Sequence, residues 1–106
     1  MLTKINIEML PKGQPHRHGL PDEDDYWYDT DATLQIRITE QEDYRDFQLL
    51  AAYALIEAFA NEHLGVTPSM VDAYDATVPA DEQPGDRPGC PYFPSHQAAM
   101  AGEKAL

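Results

Sequence analysis

Hydrophobic and polar positions alternate in two short stretches of the chain and then change period. In the first, Leu2, Ile5, Ile7 and Met9 are separated by polar residues, the spacing of a strand from Leu2 to Met9. In the second, Thr33 to Ile38, the residues Leu34, Ile36 and Ile38 share one face. That pattern predicts a strand with those three on the core side. The two strands are expected to belong to one small sheet. Between them, PKGQPHRHGLP is rich in Pro, Gly and His and reads as a loop.

From residue 40 the pattern becomes helical. Thr39 and Glu42 have the spacing of a capping box, and Glu40, Glu42, Asp43 and Asp46 complement the positive end of a helix starting there. The helix is expected from about Asp43 to Leu64, with Gly65 as its left-handed cap. Thr67-Pro68 marks a new start, for a short helix through about Tyr74. Four prolines and two glycines between Asp75 and Tyr92 predict an irregular segment, and Pro94 opens a last helix through Lys104. The expected fold is α+β in a single domain over residues 1–106. A small N-terminal sheet packs on a long buried central helix, followed by two shorter helices.

The central helix carries the feature most suggestive of function. Its stretch LLAAYALIEAFA surrounds one carboxylate, Glu57, with apolar residues. A helix apolar on every side is normally buried on every side, and an ionised carboxylate there needs a cation, a metal or hydrogen-bond donors. Tyr53, four residues earlier, lies on the same helical stripe, which Ala54 and Asn61 flank. A metal-binding helix commonly presents two ligands at this spacing with a general base just after the first. Here those places hold Tyr53, Glu57 and Ala54.

In order along the chain come Tyr53-Ala54-Leu55-Ile56-Glu57, Val71-Asp72-Ala73-Tyr74-Asp75, Pro84-Gly85-Asp86, Pro91-Tyr92 and His96. In this order and spacing, with Tyr26-Trp27-Tyr28 and the strand from Leu34 to Thr39 upstream, the chain resembles a family of small phage-borne proteins. Their core is zincin-like, that is, metalloprotease-like with a His-Glu-x-x-Glu helix. The resemblance implies a metal held at the positions of Tyr53, Glu57 and His96, zinc being the ion of such a core. It also implies a general base at the position of Ala54. This chain departs from the pattern at both the first ligand and the base, and without a base there is no evident way to activate a metal-bound water.

Charge narrows the remaining choices. With 19 acidic and 7 basic residues, the net charge is −12. Direct binding to nucleic acid phosphates or anionic membranes is disfavoured, and a basic protein partner or imitation of nucleic acid is permitted. Residues 22–31 set six acids around Tyr26, Trp27 and Tyr28. In one reading Trp27 plugs the core and the acids solvate the rim. In another the segment faces a basic surface or imitates the phosphate spacing of a duplex. Asp75 and Asp86 are candidates for supporting a metal or capping turns. His16 and His18 suit a solvated loop, His63 the negative end of its helix, and Cys90, alone of its kind, no disulfide and no reactivity. The start of the chain lacks the apolar core of a signal peptide, and the apolar run is too short to span a bilayer. A cytosolic location is expected, the host cytosol for a phage-encoded chain.

Three functional expectations result. The chain is a catalytically degenerate metalloprotease-like domain that binds a protein partner and needs no cofactor. Alternatively it is an acidic phage inhibitor of a host defence system, which the first reading accommodates. The third reading is an active metal-dependent hydrolase with an unusual ligand set.

Overall fold

The computed structural model describes residues 3–17, 23–79 and 81–106. Three strands come first: β1 (Lys4–Leu10), β2 (Asp24–Tyr28) and β3 (Thr33–Thr39). Three helices follow: α1 (Tyr44–Leu64), α2 (Pro68–Asp75) and α3 (Phe93–Ala105), with a 3₁₀ turn at Pro84–Asp86. The fold is α+β, as the pattern predicts. Among the described residues no helix is long and apolar enough to cross a membrane.

The sheet has the order β1-β3-β2, with β1 parallel and β2 antiparallel to the central β3. Leu34, Ile36 and Ile38 of β3 are fully buried. They form the core with Tyr26 of β2 and Ala54 and Ala58 of α1, and Phe47, Leu50 and Leu55 pack around it. A second small cluster joins Val66, Val71, Cys90 and Tyr92 under α2.

β2 is a strand that the alternation does not reveal. Tyr26 pairs with Ile36 and Tyr28 with Leu34, so both tyrosines face the helix side. Trp27, between them, pairs with Gln35 and lies on the opposite face. There it is sandwiched by two guanidinium groups, Arg17 at 4.7 Å and Arg37 at 4.9 Å from the ring centre. Trp27 therefore does not plug the core. Tyr26 does, and the arginines take up the tryptophan through cation–π attraction.

Helix ends follow their local chemistry, with one correction. The Asp43 side chain accepts from Arg45 N and is the cap of α1. Thr39 cannot serve in a capping box, because it is the last residue of β3 and its hydroxyl is bonded to His16. Gly65 closes α1 at φ 75°, a backbone conformation that suits glycine. Thr67 caps α2 through Met70 N, with Pro68 in the first turn. The last helix begins at Phe93, one residue before Pro94.

α1 is covered on two sides, by the sheet and by α3. Its outer flank leaves Phe59 partly exposed, so the apolar run is not enclosed all round. Gly102 of α3 lies against the Ile56 side chain, where a Cβ would collide with it. This close approach sets α3 down on α1 and brings His96 to the Glu57 stripe.

Candidate functional site

Glu57 is only 6 % exposed and has the partner that its setting demands. Tyr53 Oη donates to Glu57 Oε2 at 2.8 Å, the bond that their spacing on one helix allows. The same hydroxyl touches His96 Nδ1 of α3, and that nitrogen lies 3.7 Å from Glu57 Oε2. On the far side of the ring, His96 Nε2 is 2.9 Å from Asp86 Oδ1. The fold thus brings together Tyr53, Glu57 and His96, the three positions that the resemblance assigns to a metal, and adds Asp86.

One placement of the protons satisfies every contact of this hydrogen-bond chain. Tyr53 has one to give, and gives it to Glu57. The hydroxyl oxygen can then only accept from His96, so Nδ1 carries a proton. A second proton on Nε2 is donated to Asp86. With Tyr53 donating to Glu57, this arrangement makes His96 an imidazolium between two carboxylates. The neighbouring Glu57 carboxylate raises the His96 pKa, burial opposes the rise, and Asp86 adds to it. Burial and the adjacent Glu57 hold the Tyr53 phenol far above its ordinary range, so it stays protonated.

A raised histidine pKa sets a sign for stability. The folded state binds the proton more tightly than the unfolded chain. The contribution is complete below the unfolded value of about 6.5 and is lost as pH rises through the folded value. Urea unfolding followed from about pH 6 to about pH 9 is expected to show the midpoint falling in the native chain. A His96→Gln variant should lose that slope; an unchanged slope would place the titrating group elsewhere.

The Pro84-Gly85-Asp86 turn is built for this ring. A Cβ on Gly85 would lie 2.6 Å from both Cγ and Nδ1 of His96. Only glycine lets the imidazole rest on the turn, from which Asp86 reaches Nε2. Gly85→Ala is expected to cost about 1–3 kcal/mol by overpacking. NMR of the His96 ring should show the displacement as shifted ring signals. A variant with native stability and unshifted signals would refute the fit.

Ala54, at the position of the implied general base, is fully buried in the apolar cluster with Leu34, Ile36 and Ile38. It faces the sheet rather than His96. The metal-binding expectation also meets chemistry that does not suit it. Both nitrogens of His96 are engaged within the protein, and Tyr53 offers only a neutral phenol oxygen. Among the described residues no group of three or more His, Cys, Asp and Glu side chains is placed to hold an ion.

Other candidates separate. Asp75 accepts from the Tyr92 hydroxyl and is not on His96. His16 is buried rather than solvated, with Nε2 2.7 Å from Thr39 Oγ1, because its loop folds back over the end of β3. His18 lies outside the described residues. His63 is exposed in the last turn of α1. Cys90 is buried, and burial raises its thiol pKa, away from reactivity. Asn61 is buried and donates to the Tyr26 hydroxyl at 2.8 Å.

Sequence reasoning missed Arg17. Its guanidinium holds Asp25 in a two-pronged pair at 3.0 Å, the Tyr26 carbonyl at 3.0 Å and Asp72 at 3.4 Å. It ties the first loop to β2 and α2. The available signal was a lone arginine in a loop just before the acid-rich stretch.

Two hollows flank Tyr53. A cavity of about 60 Å³ is lined by Arg17, Tyr26, Glu57, Asp72, Asp75 and Tyr92, among others. That is room for about two water molecules. A wider cleft of about 450 Å³ opens on the other side, with Glu23, Asp24, Glu82, Asp86 and Glu103 in its walls. His96 and Tyr53 lie in it beside Leu50 and Met100, and among the described residues no lysine or arginine lines it. Comparison with protein-family models, curated proteins and solved structures gives no match for this chain.

Proposed function

We propose that this chain is a catalytically degenerate, metalloprotease-like domain of the phage-borne type that works by binding a basic segment of a protein partner. The observation that carries the reading is the closed hydrogen-bond chain Glu57–Tyr53–His96–Asp86. It occupies the groups that a metal would need, while position 54 is an alanine turned into the core. What remains accessible is the acidic cleft beside that chain. Five carboxylates against the single His96 ring in one concavity favour a lysine or arginine side chain, and the apolar Leu50 and Met100 suit the aliphatic stem of such a residue.

An acidic inhibitor of a nucleic-acid-binding host protein is a specific case of the same reading. It is supported by the net charge of −12 and by the second group of acids at the inner cavity.

The test pairs binding with catalysis. An arginine-rich peptide is titrated into the native chain and into Glu82→Lys/Glu103→Lys, at low and high salt. Salt-sensitive binding, lost in the charge-reversed variant, is expected. Zinc-dependent cleavage of a peptide substrate, abolished by Glu57→Gln, would overturn the proposal and restore the active hydrolase.

A further inference from the structure

β1 leaves one edge of the sheet open. It pairs with β3 on one side, and among the described residues no strand pairs with the other. The register sets Ile5, Ile7 and Met9 beside Leu34, Ile36 and Ile38, so all six share the face on which α1 packs. α1 covers that face over β3 and β2. The three β3 residues are fully buried, whereas Ile5, Ile7 and Met9 remain 42 %, 41 % and 44 % exposed. An unpaired edge beside an uncovered apolar row is a template for another strand.

The polar residues of β1 say which strand. Lys4 and Glu8 lie on the opposite face from the isoleucines, symmetrically about Asn6. When two copies of β1 run antiparallel about an axis at Asn6, Lys4 of each meets Glu8 of the other. In the same register Ile5 of each meets Ile7 of the other on the apolar face. A slip of one residue sets isoleucine against a polar residue, and a slip of two parts Lys4 from Glu8. Charge and hydrophobicity thus agree on one self-complementary register. The acid-rich strand β2 lies at the far edge of the sheet. It is about 10 Å from β1 at the usual strand spacing, roughly one Debye length in physiological salt.

We propose that β1 is a homodimer interface at which two chains join into a continuous six-stranded sheet in this register. The dimer has the two-fold symmetry commonest among homo-oligomers.

Sedimentation velocity of the full chain over a range of concentrations tests it, with Lys4→Glu, Glu8→Lys and the double exchange. A monomer–dimer equilibrium is expected for the native chain. Each single reversal places like charges opposite twice per dimer and should raise the dissociation constant about tenfold. The double exchange restores opposite charges and should return it to within about twofold. Ile7→Lys should leave only monomer. All these positions are exposed, so circular dichroism of each variant is expected to match the native chain. Monomer at every concentration would overturn the proposal. So would a dimer indifferent to the reversals, or one that the double exchange fails to restore.

Discussion

Replacing His96 with alanine is expected to destabilise the chain by about 3–5 kcal/mol, the range for removing one partner of a buried ion pair. A domain of this size is held by about 5–15 kcal/mol in total, so such a variant folds marginally. The loss arises on one side of the ring. Asp86 is 59 % exposed and water readily replaces its partner, whereas the Glu57 side chain is 8 % exposed and, among the described residues, would keep only the Tyr53 hydroxyl. A double-mutant cycle separates these contributions. Glu57→Gln should cost much less in the His96→Ala background than in the native chain, because there it removes an unpaired carboxylate instead of leaving His96 without its partner. Additive effects in urea unfolding would mean that the two side chains are neighbours without being coupled.

The second large effect is a contrast between two isoleucines paired in register. Ile36→Ala is expected to cost about 2–5 kcal/mol, since the side chain is fully enclosed between the sheet and α1. Ile7 is its partner in the ladder and points to the same side. At protein concentrations too low for association, Ile7→Ala should cost less than about 1 kcal/mol. Unfolding of the two variants under identical conditions checks this. Similar losses would mean that β1 is covered as thoroughly as β3.

Much of the fold was legible because local chemistry and tertiary structure agree. Gly65 ends α1, and Thr67-Pro68 begins α2, for reasons internal to a few residues. β2 was hidden because Asp24 and Asp25 are poor strand formers and three consecutive aromatics mask the alternation of Tyr26, Trp27 and Tyr28. Thr39 misled because its spacing to Glu42 suits a cap, while pairing with β1 and a bond to the Glu23 carbonyl claim it for the sheet. At the site, the Tyr53–Glu57 bond follows from helical spacing alone. His96 lies 43 residues from Tyr53, and only the resemblance placed it there. The burial of His16 had no local signal, since it depends on where the first loop returns. Asp86 was a candidate for a supporting role, and it holds the His96 ring through Nε2.

The parallel pairing of β1 also bears on the order in which the sheet can assemble. β2 and β3 are joined by a short turn at residues 29–32, and α1 follows within a few residues, so these three can form from contacts near in sequence. β1 meets β3 only across a separation of 29 residues, as between Asn6 and Gln35. The chain entropy of closing that loop is lost before any contact compensates for it. β1 is therefore the last of the three strands to be seated. Until it arrives, one flank of β3 stands open to whatever extended segment comes near.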